Sequence, residues 1–263
     1  MQVSRHGDRH GLKDVEVAIR FEGHYDESYT DGDNRHVLPT DTMRNTVYAM
    51  AARQPVSEPE SFGLALTSRF LDRNPRLQRV RIDLTEHPWR RIRVGDTEHG
   101  HAFMRPGAEA RTATVQASRE GSMVGGGLRN LLILKSAHSA FADFLRDELT
   151  TLPDTQDRLF ATSLRASWRY VAADVDFATA WHAVRRRLLE AFAEHDSKSV
   201  QHTLYAMGEA VLDSCEEVTE IRLVMPNKHH LPIDLTRLGI ENRNEIFVPT
   251  DEPYGLIEAV MRR

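Results

Sequence analysis

Cysteine is nearly absent from this 263-residue chain: Cys215 is the only one. A single thiol excludes an internal disulfide and any zinc or iron–sulfur site built from paired cysteines, and it points to a reducing, cytoplasmic compartment. Long apolar runs are missing too, so no membrane-spanning helix and no secretory leader are expected. Basic charge is not in excess. The 34 Lys and Arg against 39 Asp and Glu leave a net charge of −5 and a pI near 6.2, which argues against a nucleic-acid binder. The densest basic cluster, Arg185 to Arg187, falls in an amphipathic helical pattern and reads as a solvated face. No GxGxxG opens a helix, and Gly125-Gly126-Gly127 is expected between a loop and a strand, so no nucleotide cofactor is indicated. The 13 His include the pair His99 and His101 and the neighbours His229 and His230, without an HExxH or a carboxylate at ligand spacing. No metal is expected.

What is present is regular patterning long enough to bury a core. DVEVAIRFEG alternates Val15, Val17, Ile19 and Phe21 on one strand face, and a second strand is expected after Gly23. Asp41 to Arg53 reads as a helix. Ser57 with Glu60 forms a capping-box pattern opening another that runs to about Asn74. Gln78 to Glu86 alternates again, and at least one more strand lies between His101 and Glu120. The second half repeats the order: strand material from Thr112 to Ser136, a short helix at Ala140 to Glu148, a strand at Leu164 to Val175, and helices at Phe177 to His195 and Val200 to Cys215. Strands at Glu220 to Met225, Leu231 to Leu235 and Glu245 to Val248 complete it. Such repetition predicts an α+β fold with antiparallel sheets, made by tandem duplication, with units at 1–120 and 121–263.

Four segments carry chemistry. LILKSAHSAFADFLRDELTTLPDTQDR, Leu132 to Arg158, spaces one aromatic, Phe141, and one arginine, Arg158. A guanidinium fork suits a planar anion with adjacent acceptors. PTDTMRNTVYAMA, Pro39 to Ala51, places Thr40 and Asp41 at a helix start, where either residue could cap free amides. SVQHTLYAM, Ser199 to Met207, places Val200 and Gln201 at another, and the Gln amide has one donor side and one acceptor side. LVMPNKHHLPIDL, Leu223 to Leu235, alternates Asn227 and His229 about Lys228, so the two point the same way if strand geometry persists past Pro226.

In this order the four segments resemble those of urate oxidases (uricases), and the resemblance runs from about Val15 to the C-terminus. It implies two tandem tunnelling-fold units in a homotetramer whose sheets close into a tunnel-shaped barrel, with active sites at subunit interfaces. It implies cofactor-independent oxidation of urate by dioxygen to 5-hydroxyisourate and hydrogen peroxide. Phe141 would stack on the purine, and Arg158 and Gln201 would grip its edge. The backbone amides of Asp41 and Val200 would bond the purine, Asn227 would hold dioxygen, and Thr40 (from a neighbouring subunit) with His229 would relay protons.

Three departures stand out. Urate oxidases carry a lysine near the N-terminus in a Tyr-Gly-Lys context, and MQVSRHGDRHGLKDVEV matches only from beyond it; Lys13 lies in a later segment. A missing first segment, another group in the lysine's place, or a weak or inactive purine-binding homologue each fit; the resemblance implies that such a segment would carry most of the first strand, leaving the first strand of the first unit incomplete. Leu149 stands where the family has an aromatic. The ending Met261-Arg262-Arg263 lacks a peroxisomal Ser-Lys-Leu tail, which leans bacterial. A tunnelling-fold enzyme acting on a pterin or guanine-like ring is a weaker rival, since it would use a carboxylate anchor and often zinc.

Overall fold

The computed structural model describes residues 1–263 and divides them into two compact units, 1–128 with 167–181, and 129–166 with 182–263. In chain order the elements are β1 (Gln2–His6), β2 (Arg9–Lys13), β3 (Val15–Gly23), α1 (Asp26–Thr30), α2 (Thr40–Arg53), α3 (Pro59–Arg73), β4 (Leu77–Glu86), β5 (Arg90–Val94), β6 (Thr97–Met104) and β7 (Ala110–Ser118). Strands β8 (Ser122–Lys135) and β9 (Phe160–Tyr170) contribute residues to both units. Then come α4 (Phe177–Glu194), α5 (Val200–Ser214), β10 (Val218–Lys228), β11 (His230–Pro232), a 3-10 turn at Thr236–Leu238, β12 (Phe247–Pro249) and β13 (Gly255–Arg262). The fold is α+β. No helix is long and apolar enough to cross a membrane.

In the first unit the strands lie in the order β3-β4-β7-β8-β9, and β4 pairs antiparallel with both β3 and β7. The alternation read in β3 is real: Val15, Val17, Ile19 and Phe21 pack on a core of α3 and β4 residues that includes Phe62, Leu66, Phe70, Val80, Ile82 and Leu84. Phe21 meets Phe70 edge-on at 5.1 Å. Each such side chain contributes about 1.5–3 kcal/mol when fully buried, so period-2 strands and an amphipathic α3 suffice to build this layer. No α2 residue is fully buried, although Met43, Val47 and Met50 pack partly against the same core.

After Gly23 the chain makes the short helix α1 rather than a strand. The capping box at Ser57 does not form: α3 starts one residue later than that pattern requires, with Glu58 at the N-cap position and Pro59 in the first turn. Proline has no N–H to satisfy there, which suits that position. Glu60, released from capping, is 0% exposed and accepts from Arg111 Nη2 at 2.7 Å.

The three glycines lie inside β8, not between a loop and a strand. They let Trp168 and Tyr170 of β9 come close. A Cβ on Gly126 would sit 2.5 Å from Tyr170 Oη and 2.7 Å from Trp168 Nε1, and one on Gly125 would sit 2.7 Å from the Trp168 carbonyl oxygen. Gly127 offers its carbonyl to Trp181 Nε1 at 2.8 Å. Gly126→Ala is therefore expected to destabilise the chain by about 1–3 kcal/mol through overpacking, read as a lower denaturation midpoint. An unchanged midpoint would show that the rings have room to move.

The second unit orders its strands β8-β9-β10-β13, with β10 and β13 antiparallel. The three-and-four spacing in α4 buries Val184, Leu188 and Phe192, and Phe192 meets Phe160 of β9 at 5.3 Å. On α5 the same spacing buries Val200, Leu204, Met207 and Val211, and β10 buries Ile221, Leu223 and Met225.

The helix expected at Ala140 to Glu148 is absent. Its first residues instead form isolated bridges, Ser139 with Ser197 in parallel and Phe141 with Thr155 antiparallel. His138 at φ 56° and Asp143 at φ 57° turn the chain through left-handed geometry on either side of Phe141. Such positions cost a non-glycine residue about 1–2 kcal/mol, so the bonds around them must hold the segment open.

Candidate active site

Those bonds build a clamp. Phe141 N–H donates to the Thr155 carbonyl at 2.7 Å and the Thr155 amide returns the bond at 2.9 Å, which lays the Phe141 segment along the run leading to Arg158. Arg158 N–H donates to the Ser139 carbonyl at 2.8 Å. The result places the Arg158 guanidinium carbon 5.5 Å from the Phe141 ring centre.

This guanidinium lacks a counterion. Its Nε is buried without a hydrogen-bond partner, and burial lowers the Arg158 pKa with no carboxylate to offset it. Arginine stays charged nonetheless. A partly buried cation without a counterion costs free energy that the right anion would recover, and perturbed charges of this kind mark binding sites. The Phe144 ring lies parallel to Phe141, with centres 4.9 Å apart and 12° between planes. Phe144 covers one side of Phe141, so a flat ligand would take the opposite side. Together these groups suit a planar anion with acceptors along one edge.

The start of α5 is tied to the same segment. Ala140 N–H donates to the Ser197 carbonyl at 2.8 Å, and Ser197 N–H donates to the His138 carbonyl at 3.0 Å. Ser199 then caps α5, its side chain accepting from the His202 amide at 3.1 Å. Val200 and Gln201 occupy the first turn, where backbone N–H groups are free to meet electron-rich atoms. Val200 is buried with its side chain in the core, whereas Gln201 is exposed.

Asn227 and His229 share the second unit with the clamp, without the backbone bonds that tie α5 to it. Asn227 pairs with Gly255 near the end of β10. Strand geometry stops at Lys228, so His229 lies between β10 and β11, and the alternation that would align it with Asn227 is interrupted. The His229 carbonyl holds Thr250 through its amide at 2.9 Å and its hydroxyl at 3.3 Å.

Thr40 and Asp41 belong to the first unit. Neither is the cap of α2, because Pro39 occupies that position and no side-chain cap forms. Both are exposed in the first turn, and the Asp41 carboxylate accepts from Asn45 Nδ2 at 2.8 Å and pairs with Arg44. No three His, Cys, Asp or Glu side chains are grouped to hold a metal ion.

Sequence reasoning missed the residues that position the clamp: Ser139, Asp157, Ser197 and the cap Ser199. Only Ser199 carried a signal, as a Ser three residues before the fully helical His202.

The uricase family model matches residues 3–116 and 124–258. The uricase of Arthrobacter globiformis is 41% identical over 263 residues, covering 100% of this chain and 85% of that protein. The uricase of Danio rerio is 36% identical over 269 residues, covering 100% of this chain and 90% of that protein. Among solved structures, the crystal structure of the Arthrobacter globiformis uricase superposes with a TM-score of 0.95 at 41% identity, covering 99% of this chain and 89% of that one. A uricase from Bacillus fastidious superposes with a TM-score of 0.82 at 25% identity, covering 94% and 81%. With its family model spanning nearly all of both units and full-length relatives above 30% identity, this chain belongs to the uricase family.

Proposed function

We infer that this chain oxidises urate with dioxygen, yielding 5-hydroxyisourate and hydrogen peroxide. Family membership supports the substrate, and the partly buried Arg158 guanidinium without a counterion beside Phe141 is the observation that carries the reading. Urate is a planar anion whose edge carries adjacent oxygen and nitrogen acceptors, which is what the fork can bind in two parallel bonds. The chemistry balances without a cofactor. Urate gives up two electrons, dioxygen takes them with two protons, and water adds to the oxidised purine.

On this reading Arg158 and the Gln201 amide fix urate in plane, and Phe141 sets its depth by stacking. The Val200 and Asp41 amides bond the purine. Asn227 holds dioxygen above the ring, and Thr40 with His229 moves the protons, a role that suits a histidine near neutrality. Four copies would close into a tunnel so that Thr40 and Asp41 serve a neighbouring copy's clamp. The absence of buried residues on α2, and Leu132 and Leu134 exposed at 66% and 49% on β8, support surfaces meant to be covered. A cytoplasmic location suits the lone thiol of Cys215, which is free and buried.

The test is to mix the protein with urate and follow dioxygen uptake together with peroxide release. Equal amounts of both are expected as urate is consumed. Urate binding without dioxygen uptake would favour a purine-binding homologue instead.

A further inference from the structure

Asp157 stands directly before Arg158, and an acid beside a partly buried cation would ordinarily neutralise it. Here it does not. Its Oδ1 instead accepts the Ser139 amide at 3.2 Å, while the Ser139 carbonyl accepts the Arg158 amide at 2.8 Å. Ser139 is thus held at both ends by the Asp157-Arg158 dipeptide, and it is 1% exposed. The same residue bridges in parallel to Ser197, which leads into the capped start of α5. One junction therefore sets the relative positions of Phe141, Arg158 and the α5 first turn. No carboxylate raises the Arg158 pKa, which agrees with the Asp157 charge being directed elsewhere. The field of Asp157 reaches Lys135, whose Nζ donates to the Phe192 and His195 carbonyls.

We propose that Asp157 is a positioning residue for the clamp: by accepting the Ser139 amide it fixes the Arg158 backbone against the Phe141 segment and keeps its own carboxylate off the guanidinium. The role needs an acceptor at Oδ1 aimed at Ser139, and it does not need contact with the substrate. This inference rests on the urate reading for its kinetic readout, so its test includes one readout that does not.

Asp157→Ala and Asp157→Asn separate positioning from charge, since asparagine keeps the Oδ1 acceptor. Without ligand, amide hydrogen exchange at Ser139 is expected to quicken about tenfold or more in Asp157→Ala and to stay near wild type in Asp157→Asn. With urate and dioxygen, Asp157→Ala is expected to raise KM about tenfold, the loss of one hydrogen bond to a charged acceptor. Its kcat is expected to stay within about threefold, because no bond made only in the transition state is lost. Asp157→Asn should restore the KM. Ser139 exchange unchanged in Asp157→Ala overturns the inference, whatever urate does. So does equal impairment of both variants, which would make the charge and not the acceptor the active feature. If wild-type protein fails to take urate at all, the functional reading falls, and the exchange measurement still decides the role of Asp157.

Discussion

Arg158→Ala should abolish measurable urate affinity at ordinary protein concentrations while leaving the fold intact. Hydrogen bonds to charged groups are worth about 1.5–3 kcal/mol each, so losing a two-bond fork weakens binding by about 10²- to 10⁴-fold. Stability should change little. The buried Nε has no partner to lose, and removing a partly buried cation without a counterion relieves a desolvation cost rather than creating one. Arg158→Lys should recover only part of the affinity, because an ammonium is a point charge and cannot fork. Titration of urate with dioxygen excluded, beside a thermal melt of each variant, reads both effects. Unchanged affinity in Arg158→Ala would reject the clamp.

A second large effect is expected far from that chemistry, in the first unit. Arg111, whose side chain is 10% exposed, pairs with Glu58 and with the 0% exposed side chain of Glu60 at 2.7 Å. It also donates to the Phe177 carbonyl at 3.3 Å and lies 5.2 Å from the Trp181 ring centre. Arg111→Ala strands Glu60 in the core, and breaking a buried pair from one side costs about 3–5 kcal/mol. For a chain of this size that lowers the melting midpoint by roughly 10 °C. Replacing both partners with apolar residues, Glu60→Leu with Arg111→Met, should recover most of the loss.

The pH dependence of that deficit follows from Glu60. Burial raises its pKa above the usual carboxylate range, Arg111 opposing, and removing Arg111 raises it further. A carboxyl with a higher pKa in the folded chain stabilises the fold fully below its unfolded value, near about pH 4, and that stability is lost as pH rises through the folded pKa. The gap between Arg111→Ala and wild type should therefore be smallest in acid and widen toward neutrality. A gap independent of pH would mean that the charge on Glu60 is not its source.

Elements with a clean period were readable in the chain, and those shaped by long-range bonds were not. Val15 to Phe21 alternated because one face of β3 meets the core, and Trp181, Val184, Leu188 and Phe192 recurred at helical spacing because α4 buries one stripe. Ala140 to Glu148 reads as a helix by composition, yet Thr155 and Ser197 claim its first backbone groups. Tertiary bonds outweighed local preference there. Strand β13 passed unnoticed because Leu256 and Val260, exposed at 57% and 47%, put apolar side chains on its outer face and blur the alternation of the half-buried Ile257, Ala259 and Met261. Phe141 and Arg158 were found through their family pattern. Asp157 was not, because an acid beside an arginine reads as a surface ion pair, whereas its bond to Ser139 joins residues 18 apart in the chain.

The most direct test is a structure determined with urate bound and dioxygen excluded. It should show the purine against the open side of the Phe141 ring, two hydrogen bonds from Arg158 along its edge, and a further one from Gln201. Urate seated elsewhere, or held without Arg158, would contradict the assignment of this site.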